Sequence, residues 1–496
     1  MYYPSYSELK QLANDYPVVP VSKELFSDVT TPIKVLKILK NISQHVFLLE
    51  SVEQMKYWGR YSFLGFEPSM EISCNNHILT VKQLKENTKI QQYVDNPNDF
   101  IRSILKKYQS PKLNKLPTFS GGLVGYFGYE YLQYVEKKLD CLQSEKPFND
   151  VDLMLFDKVI AFDNYQKKII LIVNIKTDEL AKNYQQAQQD LEYLADLIMH
   201  GQEAQITNGK VLSEIRRDFS EAEYCKVVDK VKNYIKAGDI FQAVISNELN
   251  VDFTGSLCNV YRMLCRTNPS PYMFYLTSKD FELVGASPET LVKLDGKTLK
   301  TFPIAGTLPR GKNAQEDELF SQRLLHDEKE LAEHNMLVDL GRNDLGKISK
   351  FNSMLIENMH KIEYFSHVMH LTTTIKSEID DKYDALDAVM ATLPAGTLSG
   401  APKLRAMEII HELEKSPRGI YGGAIGYIDF SGNLDLCIGI RMAVAKNGKL
   451  FIRSGGGIVQ DSEPQQEYLE TINKAKAIME AIYKAQEVND YDFTNR

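Results

Sequence analysis

From residue 220 onward the spacing of apolar positions changes period several times, and each change marks an element. Ser220 with Glu223 three positions later is a capping box that starts a helix. Val227, Val228, Val231, Tyr234 and Ile235 then recur at helical spacing, and Gly238 is placed to end the helix. The period then drops to two. In "FQAVISNELNVDF" (241–253), Phe241, Ala243, Ile245, Leu249, Val251 and Phe253 share one parity, while Gln242, Ser246, Glu248, Asn250 and Asp252 share the other, which predicts a strand with one polar face. Further strands are predicted at 272–277, 283–285, 291–294, 422–430, 435–445 and 449–454, and helices at 314–340, 382–392, 401–414 and 465–484. Strands cluster between groups of helices instead of alternating with them. The expectation is an α+β fold of large mixed or antiparallel sheets with helices outside, not a doubly wound parallel sheet.

The first half is less periodic. Its most apolar run, "IILIVNI" (169–175), is far too short to cross a bilayer and reads as a buried strand. The polar stretch 199–214 contains two glycines and no apolar period, so it reads as a linker or surface crossing. It separates an N-terminal region, 1–200, from a second region, 213–490.

Composition narrows the function classes. The chain has 496 residues, 43% hydrophobic, with a formal net charge of −8. It can bury a large core, and without a long basic run no nucleic-acid partner is expected. An acidic chain that binds an anion must build a local positive pocket against its own field. The start lacks the apolar segment of a signal peptide, and the six cysteines follow no C-x-x-C pattern. Reduced thiols, a cytoplasmic location and no membrane association are expected.

Four stretches carry candidate chemistry. "FPIAGTLPR" (302–310) places Gly306 and Thr307 in a tight non-helical segment, either a turn or a ligand loop. "LLHDEKELAEHNMLVDLGRNDLG" (324–346) reads as a long amphipathic helix with Leu331, Met336, Leu337, Val338 and Leu340 on its apolar side and Glu330, Glu333, His334 and Asp339 among its polar residues. No second His follows His334 at i+4, so a zinc protease is not supported. In "YFSHVMHLTTTI" (364–375) the strand pattern sets His367 and His370 on opposite faces. "LPAGTLSGAPKLRAMEII" (393–410) runs from a Gly/Pro/Thr loop into a helix. Thr397, Ser399 and the free N–H groups could meet an anion there, although the P-loop spacing is absent.

A fifth stretch, "SGGGIVQDSEPQQEYLETINKA" (454–475), combines two chemistries. Gly455, Gly456 and Gly457 follow a strand and let backbone N–H groups approach a carboxylate. In the helix after Pro464, Glu467, Glu470 and Lys474 share a face, with Tyr468, Leu469, Ile472, Ala475 and Met479 on the buried side. Two carboxylates one turn apart, joined by Glu333, suit a hard cation such as Mg²⁺.

Taken together, "LLES" (48–51), "GGLVGYFGYE" (121–130), "GDIFQAV" (238–244), "NPSPYMFYL" (268–276), "GASPE" (285–289), "PIAGT" (303–307), "AEHNMLVDLGRND" (332–344), "PAGTLSGAPK" (394–403), "YGGAIGY" (421–427), "CIGIR" (437–441) and "GGGIVQDS" (455–462) resemble the chorismate-utilising enzyme family, and within it the anthranilate-forming branch. The resemblance spans nearly the whole chain. It implies an α/β sandwich of two large, roughly orthogonal antiparallel sheets with chorismate in a cleft between them. It implies Mg²⁺ on Glu333 and Glu470 with Glu467 adjacent. It also implies that Gly306, Thr307, Tyr421, Arg441, Gly455, Gly456, Gly457 and Lys474 hold the substrate, with His370 and Thr397 catalytic. Arg441 suits a bidentate carboxylate clamp.

Relatives that make aminodeoxychorismate typically carry Lys where this chain has Ala305, and isochorismate-forming relatives carry Lys at the position of Gln242. With neither group present, the nucleophile is expected to be free ammonia. No G-x-C-x-G elbow surrounds a cysteine, so a separate glutamine amidotransferase subunit is expected to supply it, making the enzyme a hetero-oligomer, a heterotetramer. In the resembled branch the words "LLES" of the N-terminal region and "NPSPYMFYL" line a tryptophan pocket, nominating Glu50, Ser51, Pro271, Tyr272 and Met273, with Tyr427 and Cys437, and feedback inhibition by tryptophan. Two alternatives stay open: an aminodeoxychorismate-forming enzyme, opposed by Ala305, and a non-catalytic tryptophan-binding relative, opposed by the joint presence of Glu333, Glu470, His370 and Arg441. The anthranilate branch often has Ala at the position of Gly456, and the triple glycine also occurs in the aminodeoxychorismate branch.

Overall fold

The computed structural model describes residues 2–51, 59–136, 138–139, 147–364 and 368–488, with the Thr307 side chain also outside the description. Among these residues two large antiparallel sheets form, one of 14 strands and one of 12. The first sheet runs, through its middle, in the order Val46–Glu50, Tyr272–Thr277, Glu282–Ser287, Met442–Lys446, Lys449–Ile458, Gln242–Thr254. The second runs Ile304–Pro309, Val368–Glu378, Thr298–Thr301, Thr290–Asp295, Leu434–Ile438, Ala424–Asp429, Gly122–Phe127, Val151–Phe156. Strands from both sides of the 199–214 stretch therefore pair within both sheets.

Alternation of side chains decides which residues fill which layer. In the first sheet Phe47, Phe274 and Leu276 join the core that also takes Leu123, Leu153 and Ile425 of the second sheet. Their strand neighbours Val46, Leu48, Met273 and Tyr275 join another core, against helices that contribute Val35, Leu36, Leu191 and Ile482. Both faces of these strands are buried, so the strands read as continuous apolar runs and not as alternation. The run 169–175 behaves in this way, inside the buried strand Lys168–Lys176.

Most elements fall where the periodicity places them. The Ser220–Glu223 box caps the helix Glu221–Ala237, and Gly238 closes it with φ 83°. The departures cluster around one region. The stretch 435–445 is not one strand: Leu434–Ile438 belongs to the second sheet and Met442–Lys446 to the first. The chain crosses between sheets at 439–441, where Arg441 takes φ 52°. The predicted helix 314–340 is two, Ala314–Leu325 and Glu328–Gly346, because Asp327 caps the N–H groups of Lys329 and Glu330 and starts a new helix.

The three glycines do not follow a strand but lie within one, Lys449–Ile458. The polar face of Gln242–Thr254 is solvated only at its far end: Gln242, Ser246 and Glu248 are buried, while Asn250 and Asp252 are partly exposed. His334 is also fully buried. Its Nε2 lies 2.7 Å from Thr373 Oγ1, and burial pushes the imidazole down to about 4. Leu469, assigned to the buried side of the last helix, is half exposed; Thr471, Ala475, Ile478 and Met479 are buried in its place.

Candidate functional site

Two neighbouring inter-sheet crossings build the site. One is at Arg441. The other is at Pro288–Glu289, between Glu282–Ser287 in the first sheet and Thr290–Asp295 in the second. The crossings are bonded together: Ala286 N donates to Arg441 O (3.0 Å), Ile438 N to Glu289 O (3.0 Å), and Ser287 Oγ to Ile438 O (2.8 Å). A non-glycine residue at positive φ costs about 1–3 kcal/mol, and such strain gathers at functional positions.

A cavity of about 590 Å³ opens beside these crossings. Glu333, Glu467, Glu470, Gly306, His370, Thr397, Tyr421, Arg441, Gly455, Gly457 and Lys474 all line it. Of the residues read from the sequence as holding substrate or metal, Gly456 does not, and the Thr307 side chain lies outside the described residues. His367 and Cys141 lie outside them too.

The ladder explains why alternate glycines reach the cavity. Val244, Ile245 and Ser246 lie opposite Gly457, Gly456 and Gly455. Val244 N donates to Ser399 O (2.9 Å) and Ser246 N to Glu414 Oε1 (2.7 Å), both away from the glycine strand. In an antiparallel pair only alternate residues exchange bonds. Gly455 and Gly457 therefore turn their N–H and C=O groups to the other edge, which the neighbouring strand leaves uncovered beyond Phe451. Lys474 Nζ donates to the Gly455 carbonyl there (3.0 Å). Gly456 is the ladder-bonded member of the three. A Cβ on it would lie 2.8 Å from Glu467 Oε2, so its small size makes room for that carboxylate.

Gly306 sits at a bulge opposite the Val368–Glu378 strand with φ 62°. A Cβ there would meet Leu324 Cδ1 at 2.9 Å and Glu330 Oε2 at 3.2 Å. Its carbonyl lies 3.1 Å from His370 Nδ1. A carbonyl only accepts, so Nδ1 carries the proton and Nε2 is the basic nitrogen. Burial lowers the His370 pKa, keeping the ring neutral.

Four carboxylates face the cavity from two helices: Glu330 and Glu333 from Glu328–Gly346, and Glu467 and Glu470 from Pro464–Gln486. Burial, and behind it neighbouring carboxylates, holds Glu330, Glu333 and Glu467 above the ordinary carboxylate range. Glu470 pairs with Lys474 at 2.6 Å. Among the described residues Glu467 Oε2 is buried with no hydrogen-bond partner. Among the described residues no three His, Cys, Asp or Glu side chains close into a ligand cage. Mg²⁺ needs no such cage, because it keeps several waters and takes one or two carboxylates. The orphaned Glu467 oxygen and the mutually repelling acids fit such a cation.

Glu289 was not singled out by the sequence. It projects into the cavity from the crossing, and Thr397 Oγ1 donates to its Oε1 (3.1 Å). Burial pushes its carboxyl up to about 8, so it carries a proton at neutral pH. The one available signal was a Glu between two apolar strands in "GASPETLV". Glu330 was legible as a residue one turn before Glu333.

Beneath the cavity lies a buried ion network. Arg418 pairs with Glu414 (2.6 Å), and Arg453 with Glu414 (3.4 Å) and Glu248 (3.0 Å). Arg418 also donates to the Leu398 and Val244 carbonyls (2.5 and 2.6 Å), tying the Thr397 loop to the strand opposite the glycines.

A second cavity, of about 360 Å³, gathers Glu50, Ser51, Pro271, Tyr272, Met273, Tyr427 and Cys437 with Arg60, Phe63 and Asp435. Tyr261 Oη donates to Glu50 Oε1 (2.6 Å), and burial raises the Glu50 carboxyl. Among the described residues Ser51 Oγ is buried without a partner.

The sequence profile of the family described as chorismate binding enzyme matches residues 45–480. The chain is 41% identical to anthranilate synthase component 1 of Acetivibrio thermocellus, covering 98% of this chain and 100% of that one. It is 40% identical to the protein of the same name from Aquifex aeolicus, over 97% and 98%. The crystal structure of anthranilate synthase component I from Streptococcus pneumoniae superposes with a TM-score of 0.72 at 34% identity, covering 92% of this chain and 98% of that one. The menaquinone-specific isochorismate synthase of Escherichia coli shares the fold, with a TM-score of 0.67 at 16% identity over 96% and 98%.

Proposed function

The chain belongs to the chorismate binding enzyme family, and from that premise we propose that it is the chorismate-aminating component of an anthranilate synthase, serving tryptophan biosynthesis. The observation that carries this reading is the meeting, in one cavity, of anion-binding groups (Arg441, Lys474 and the Gly455 and Gly457 backbone) with a proton-bearing Glu289 and a neutral His370.

Arg441 and the outward N–H groups of alternate glycines hold carboxylates of the dianionic substrate. Glu333 and Glu470, with Glu467 beside them, would hold Mg²⁺, which when bound draws charge from the ring carboxylate and makes the ring electrophilic. Ammonia adds at C2 while the 4-hydroxyl leaves. Glu289 gives its proton to that oxygen, so it departs as water, the ammonium formed at C2 returns a proton to the carboxylate, and Thr397 keeps the carboxyl aimed. His370 Nε2 then takes the C2 proton as the C3–O bond breaks and passes it to the methylene carbon of the departing enolpyruvate, giving pyruvate and the aromatic ring of anthranilate.

Ala305 and Gln242 line the cavity, and neither can attack the ring or deprotonate water. The nucleophile therefore comes from outside, supplied by a separate glutamine amidotransferase subunit. Tryptophan occupies the second cavity and inhibits. Glu50 and Arg60 there suit the ammonium and carboxylate of an amino acid, with Phe63 and Tyr427 as apolar walls.

The test is product identification. The purified chain with chorismate, Mg²⁺ and an ammonium salt yields anthranilate, identified by mass and fluorescence. EDTA abolishes the signal, and glutamine alone does not replace ammonium. An aminodeoxychorismate product would overturn the reading in favour of that branch. Tryptophan binding without turnover would favour a non-catalytic relative.

A further inference from the structure

Glu289 and Thr290 are consecutive residues whose side chains serve different surroundings. Glu289 faces the first cavity. Thr290 Oγ1 lies 3.0 Å from Tyr272 Oη, and Tyr272 lines the second. Tyr272 Oη donates to Asp435 Oδ1 (2.7 Å), so its proton is committed and Thr290 is the donor to Tyr272. Asp435 is fixed in turn by Lys293 Nζ on its other oxygen (2.6 Å). The two cavities are thus one residue apart along the chain.

The backbone at this point departs from the regular ladder. The register of Thr290–Asp295 against Leu434–Ile438 shifts between Thr290 and Val292, a bulge of the kind that re-aims a side chain. A void of about 40 Å³, room for one or two waters, is lined by Glu289, Thr290 and Thr397 together. Close-packed interiors transmit displacement, and a void beside the acid lets it be displaced without a clash.

We propose that the Thr290–Tyr272 hydroxyl pair is the physical link between the two cavities, so that a ligand pressing on Tyr272 in the second cavity moves Glu289 out of position in the first. Thr290 is on this view a positioning residue. The inference rests on the reading that tryptophan takes the second cavity and Glu289 serves the reaction, and it specifies how the one reaches the other.

Thr290→Val tests it, because it keeps the shape, removes the hydroxyl and leaves Tyr272 its bond to Asp435. The tryptophan dissociation constant is measured by calorimetry with and without saturating chorismate and Mg²⁺, with no ammonia present so that chorismate is not consumed. In the unaltered protein each ligand weakens the other by the same factor, on the order of 5- to 150-fold. In Thr290→Val that factor falls at least ~5-fold towards unity, while tryptophan affinity alone and the thermal midpoint hold, and Thr290→Ser restores it. A Thr290→Val protein with undiminished coupling overturns the link and leaves the reading of the cavities standing. No mutual effect in the unaltered protein overturns both.

Discussion

Glu289 and His370 respond oppositely to the same burial. Removal from water disfavours the charged form of each, so the acid keeps its proton and the base lacks one near neutrality. The sign of the pH dependence follows. Activity is lost as pH falls through the His370 pKa, which lies below the usual 6.5, because the ring gains a proton. It is lost again as pH rises through about 8, because Glu289 gives its proton up. Glu289→Gln keeps shape without a transferable proton. Its kcat is expected to fall by about 10²–10⁴-fold, and the alkaline limb of the rate profile should vanish. A variant whose alkaline limb stays in place would exclude Glu289 as the donor.

At the scale of the element, the glycine strand divides its labour by parity. A Cβ at 455 would lie 2.8 Å from the Ile245 carbonyl, backbone of the paired strand that cannot yield cheaply. A Cβ at 456 would come closer than ordinary contact only to the far end of Glu467, at 2.8 Å. Gly455→Ala is therefore expected to raise the chorismate KM steeply or to lower the thermal midpoint. Gly456→Ala should fold normally, keep the chorismate KM and raise the Mg²⁺ concentration that gives half-maximal rate. If Gly456→Ala proved the worse of the two for chorismate, the alternation would be wrong.

At the scale of the molecule, the cavity floor depends on compensated charge. Burial opposes the charge on Glu414, but Arg418 and Arg453 outweigh it and hold the carboxyl low. Glu414→Ala leaves two buried guanidinium groups short of a partner, a loss of about 3–5 kcal/mol. A fall in the unfolding midpoint of several degrees, with turnover lost at temperatures the unaltered chain withstands, is expected in thermal scans. An unchanged midpoint would mean that the remaining acids beside Arg453, Glu248 (3.0 Å) and Asp218 (3.5 Å), suffice.

The amino-acid sequence determined the start of the helix Glu221–Ala237, most strands of the second half and most of the residues that line the two cavities, because these depend on local period, on capping chemistry and on motifs whose residues must be particular types. Ser220 and Glu223 specify their cap within four residues, and the seven residues nominated for a second pocket do line one cavity. Tertiary structure alone decided what depends on which strand lies opposite which. It split 435–445 between two sheets at Arg441, turned Gly455 and Gly457 outward while Gly456 stayed in the ladder, and buried Gln242, Ser246 and Glu248 beside the Glu414 network. It also made Glu289 an acid. Nothing within "GASPE" fixes a protonation state; that comes from burial among residues more than a hundred positions away, where only the fold sets the local dielectric and the partner.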